Sequence, residues 1–103
     1  MTEVSNEFLK KAGKVFTQLT NIAIFLRENG FSEKAIECLL VLASGDPTYE
    51  TGTYAYEIGL CYEVLGRSDE AAKYFAIAVE QNPAISEFRI AAQRHGLPLP
   101  PDA

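Results

Sequence analysis

The chain has 103 residues, enough for one domain with a modest core and too few for two. Nearly half the residues are apolar, which excludes a wholly disordered chain, and a net charge of −5 with only nine basic residues excludes a phosphate-reading basic stripe. The same deficit argues against nucleic acid and anionic membrane surfaces as partners. No apolar run is long enough to span a bilayer, and Met1-Thr-Glu-Val lacks the basic-then-apolar start of a signal peptide, so membrane insertion is not expected and a cytoplasmic location is. Cys38 and Cys61 fall on apolar helical faces, where a reduced cysteine packs as a small hydrophobe.

In chain order, Ser5 or Asn6 is placed to cap a long helix reaching Asn29. Its apolar residues recur as Phe8, Ala12, Val15, Leu19, Ile22 and Leu26, in alternating steps of four and three that form one continuous stripe. Gly13 is a point at which this helix could kink, at a cost of about 1 kcal/mol relative to alanine. The part before Val15 exceeds what one hairpin needs. It reads either as a cover for the end of the core or as a self-association or partner-binding segment through Phe8, Leu9 and Ala12, with Lys10, Lys11 and Lys14 between. Gly30 ends the helix, Ser32 is the expected cap of the next, Ala35, Leu39 and Leu42 form its inward stripe, and Gly45-Asp46-Pro47 terminates it.

Residues 52–83 read as a second pair of helices. Ala55, Ile58, Gly59 and Tyr62 lie on the first; Ala71, Phe75 and Ala78 lie on the second, with Gly66 as breaker, Ser68 as cap and Pro83 as stop. Ile22 and Ile58, Gly30 and Gly66, Ala35 and Ala71, Leu39 and Phe75, and Pro47 and Pro83 are each separated by 36 residues, so the chain carries an internal repeat. After Pro83, Ile85, Phe88 and Ala92 recur at helical spacing in a closing helix that Gly96 ends. Leu97-Pro-Leu-Pro-Pro favours extended backbone and reads as a frayed tail.

The small and large apolar positions of residues 52–83, followed by proline, resemble the tetratricopeptide repeat, whose period is about 34 residues. Leu19, Ile22, Ala23, Leu26, Ala35, Leu39, Leu42 and Pro47 stand at the same positions of a more diverged first copy. Sel1-like repeats share a period near 36 but lengthen the turn within the hairpin, and the turns at Gly30 and Gly66 are short. The resemblance implies an all-α, right-handed stack of helical hairpins. Repeats at about 16–47 and 52–83 and a closing helix at about 84–95 would make one domain, 1–96, followed by a proline-rich tail, 97–103.

The resemblance also implies a concave groove lined by the first helix of each hairpin: Thr17, Thr20, Ile24 and Arg27, then Thr53, Tyr56, Leu60 and Glu63. Spacing by threes and fours separately puts each set on one helical face. Family members that grip acidic C-termini of heat-shock chaperones use basic residues and asparagine in this groove. Here the corresponding residues are Thr20, Ile24 and Glu57, so the expected partner is an apolar or amphipathic protein segment. Small acidic repeat proteins of this kind are similar to the tetratricopeptide chaperones of bacterial type III secretion; the alternative is a scaffold that self-associates as a homo-oligomer through its long first helix.

Nothing points to catalysis. His95 is the single histidine and has no nucleophile with an orienting carboxylate around it. The glycines fall at helix ends rather than in a phosphate-binding loop, and one histidine with two separated cysteines makes no zinc site. Glu57, Glu63, Asp69, Glu70 and Glu80 read as a solvated face or as first-turn partners of a helix dipole. No enzyme activity, metal or cofactor is expected.

Overall fold

The computed structural model describes residues 6–45 and 52–101, except the side chains of Asn6, Phe8 and Leu9. Among the described residues the chain is all-helical, with α1 (Asn6–Glu28), α2 (Ser32–Gly45), α3 (Thr53–Val64), α4 (Ser68–Gln81) and α5 (Ser86–Arg94). Each helix packs mainly on its chain neighbour, α1 on α2, α2 on α3, α3 on α4 and α4 on α5. The second helix of each pair spans 14 residues, and α4 begins and ends 36 residues after α2. The internal repeat is therefore a repeat of backbone elements as well as of residue types.

The turns show why the period is kept. Gly30 and Gly66 both have a left-handed backbone, φ 87° and 74°, which glycine adopts without strain. At Gly66 the Arg67 amide donates to the Tyr62 carbonyl at 2.9 Å and the Gly66 amide to Glu63 at 3.0 Å. Gly30 repeats the arrangement with Phe31 to Leu26 and Gly30 to Arg27. These paired bonds satisfy the last carbonyls of α1 and α3 and reverse the chain in three residues. Both α2 and α4 start on the serine expected to cap them. In α4 the cap position belongs to Arg67, and Ser68 makes no capping bond; Ser32 is buried, and its hydroxyl has no hydrogen-bond partner among the described residues.

α3 lies in the middle of the fold. Tyr54, Ala55, Glu57, Ile58, Gly59 and Cys61 are all buried, so it carries apolar residues nearly all round, as a helix with neighbours on both sides requires. One side meets a core of Ala23, Ala35, Leu39 and Leu42 from the first hairpin. The other meets α4 at Gly59, where an added Cβ would come within 2.5 Å of the Phe75 ring. Phe75 has no exposed surface, so the missing side chain at residue 59 is what admits the ring.

α1 is 23 residues long against 14 for α2, so its first nine or so residues project about 13 Å beyond the hairpin. The helix is continuous through Gly13. Among its described side chains, those packed into the core begin at Phe16. The other end is closed. α5 buries Phe88, Ala91 and Ala92, and residues 97–101 fold back rather than fray. Leu97 and Leu99 pack beside Val79 and Ala92, and the Arg89 guanidinium donates to the carbonyls of Pro83 at 3.1 Å and Pro100 at 2.9 Å. The expected cap Ser5, the terminating Asp46 and Pro47, and residues 102–103 of the tail lie outside the described residues.

Candidate interaction surface

On α3, three of the four groove residues named from the sequence face α5. The Tyr56 ring lies 5.0 Å from that of Phe88 and 6.0 Å from that of Phe75. Leu60 packs beside Ala71, Phe75 and Ala91. The Glu63 carboxylate receives the Arg94 guanidinium at 2.8 and 3.2 Å and stands 2.8 Å from His95 Nε2. Burial pushes the Glu63 carboxyl up, but the bonds from Arg94 and His95 outweigh it and hold the group below the usual carboxylate range. Burial also raises the Tyr56 phenol. Thr53 is half-buried at the start of the helix. Tyr56, Leu60 and Glu63 are thus engaged by the chain's own closing helix and the residue after it.

The α1 residues diverge. Thr17 is exposed and Ile24 half-buried, whereas Thr20 is buried and donates its hydroxyl to the Phe16 carbonyl at 2.7 Å. Arg27 reaches across to α3 and pairs with Glu57 at 3.4 Å, both side chains largely buried. Glu57 is therefore not part of a solvated face. Burial raises its carboxyl, only partly offset by the Arg27 guanidinium, and the Arg27 Nε is itself buried without a partner among the described residues. This pair ties α1 to α3 in the interior. Asp69 and Glu80 are exposed as expected, and Glu70 is half-exposed beside Arg67.

A different surface stays open. On the first hairpin, Val15 and Ile22 of α1 and Val41 of α2 are exposed, while Leu19, Leu26 and Cys38 beside them are partly buried against the core. Leu19, Leu26, Cys38, Val41 and Leu42 line a shallow groove there, rimmed by Lys34 and Glu37, themselves an ion pair at 3.6 Å. The internal repeat reveals what this face lacks. Ile22 is 52% exposed, while Ile58, its counterpart one period on, is 2% exposed because α2 lies over it. Tyr62 and Tyr74, the counterparts of Leu26 and Cys38, stack with centroids 5.7 Å apart and pack against the first hairpin's core. Nothing in the described chain plays that part for Ile22 and Val41, the latter 70% exposed. Of the residues singled out for self-association, Ala12 is half-buried on the overhang, and the side chains of Phe8 and Leu9 lie outside the described residues. The sequence signal for this face was the α1 stripe, which is longer than one hairpin can use.

Among the described residues, no group of three or more histidine, cysteine or acidic side chains is arranged to hold a metal, and no helix is long and apolar enough to cross a membrane. Both cysteines are free; burial pushes the Cys61 thiol up to about 11, which keeps it protonated and unreactive. No family model, no curated protein and no solved structure matches this chain, so its own residues carry the functional reading.

Proposed function

We infer that this chain is a helical protein-interaction module of the tetratricopeptide type, and that it receives an amphipathic helix on the outer face of its first hairpin. The observation that carries this reading is the pair Ile22 and Ile58: equivalent in the repeat, half-exposed in one hairpin and sealed by a helix in the other. A face already used once within the chain to bind a helix is shaped for a helix. The 36-residue offset shared by α2 and α4 supports the stacked-repeat architecture, and two free cysteines suit a reducing, cytoplasmic setting. Shielding an apolar segment of a partner in the concave groove, as a secretion-type chaperone would, remains the second reading. It requires α5 to leave Tyr56, Leu60 and Glu63, since the Arg94 and His95 contacts now hold that helix in place.

The test is a photo-crosslinking residue in place of Val41, compared with the same residue at Val64, which is 60% exposed elsewhere on the fold. Crosslinking in native extract to a protein, including this protein itself, from residue 41 and not from residue 64 supports the reading. Equal or absent capture from both overturns it.

A further inference from the structure

The amphipathic helix best matched to the open face is α1 itself. Its stripe is palindromic: about a centre at the level of Thr17, Phe8 stands opposite Leu26, Ala12 opposite Ile22, and Val15 opposite Leu19. Two copies of α1 laid antiparallel about a two-fold axis at that level place every stripe position against another stripe position, over about 27 Å of helix. One-register slips lose this match.

Charge agrees with the same centre. Counting outward from the turn at Gly30 along an antiparallel hairpin, Lys34 falls level with Leu26, Glu37 with Ala23, Cys38 with Ile22 and Val41 with Leu19. An antiparallel second α1 centred on residue 17 carries its Lys11 to the level of Glu37 and its Glu7 to within one residue of Lys34. In the single chain these four side chains are exposed and, among the described residues, paired along their own helices, Lys11 with Glu7 at 3.7 Å and Lys34 with Glu37 at 3.6 Å. The same alignment sets Ala12 of the second copy over Cys38 and its Val15 over Val41, small against small and branched against branched. Apolar register and rim charges were free to disagree, and they agree on this alignment.

We propose that the occupant of this face is a second copy of the chain, forming an isologous dimer in which the two α1 helices pack antiparallel about residue 17 and the two α2 helices flank them. This names the partner within the reading above and rests on it. Such a contact uses the same face of both copies and closes on itself.

The experiment is sedimentation equilibrium of the full chain across a concentration series, with Lys11→Glu, Glu37→Lys and the double variant. The wild type is expected to be a dimer. Each single reversal should raise the dissociation constant about tenfold, because the two-fold axis makes every substitution act twice on an exposed ion pair. The double variant should restore wild-type affinity, which effects within one helix cannot explain, since both intrahelical pairs stay broken. Ile22→Glu, at a half-exposed position, should abolish the dimer with helicity unchanged. A wild type that stays monomeric, a dimer indifferent to both reversals, or a double variant weaker than either single overturns the proposal. A monomer that still crosslinks a different protein through residue 41 overturns only the dimer and leaves the interaction reading standing; a monomer that crosslinks nothing there overturns both.

Discussion

Truncating the two equivalent isoleucines gives a direct measure of the difference between the two hairpins. Ile58→Ala removes three carbons from a site 2% exposed, a transfer loss of about 2.4 kcal/mol at about 0.8 kcal/mol per carbon, and the cavity beside Leu39 and Ala23 brings the cost to about 3–4 kcal/mol. Ile22→Ala removes the same atoms where the side chain is 52% exposed. About half the transfer term applies, no closed cavity forms, and the better helix propensity of alanine returns about 0.4 kcal/mol, leaving about 1 kcal/mol or less. In a domain of this size the two variants should melt about 10 °C or more apart. Urea denaturation followed by circular dichroism at low protein concentration measures both. Equal costs, within about 0.5 kcal/mol, would refute the claim that one hairpin's face is sealed and the other's open. Repeating the Ile22→Ala series at high concentration should reveal a penalty that grows with protein, because in the proposed dimer the lost contact lies between copies.

Two further substitutions probe the fold around the closing helix. Gly59→Ala drives a methyl group into the fully buried Phe75 ring, and overpacking of about 1–3 kcal/mol should exceed the gain of about 1 kcal/mol from a better helix former; a more stable variant in urea would show that the ring moves aside freely. Because Glu63 titrates below its unfolded value, its contribution is present above the ordinary carboxylate range and is lost as pH falls through the lower folded value. The stability gap between wild type and Glu63→Gln should therefore be full at neutral pH and shrink as the pH falls below the ordinary carboxylate range. A gap that does not change at all from neutral pH into acid would contradict the Arg94 and His95 pairing.

How much of this was legible in the sequence depends on the range of each interaction. The helices, their ends and the 36-residue period could be read because they follow from local spacing and from glycines at Gly30 and Gly66 that only a turn explains. The serines at 32 and 68 misled by one position, since a cap and a first-turn residue have the same composition. Tyr56, Leu60 and Glu63 meet one neighbour, as their spacing on α3 allows, but periodicity names a face without naming what lies against it. Glu63 finds Arg94 and His95 more than 30 residues away, and Arg27 finds Glu57 30 residues away. The packed tail was missed because proline-rich composition describes the backbone, whereas Leu97, Leu99 and the Arg89 contacts decide where it rests.

That tail gives the molecule a polarity. At one end the Arg89 guanidinium clasps Pro83 and Pro100 while Leu97 and Leu99 roof over Val79 and Ala92; at the other, Ile22 and Val41 stand bare. A solenoid with two sticky ends would add copies head to tail without limit, as a growing fibre does. Here one end has been tiled over, so an incoming bare end finds no matching ledge on which to continue the stack. If two bare ends pair as proposed, growth stops at that first contact.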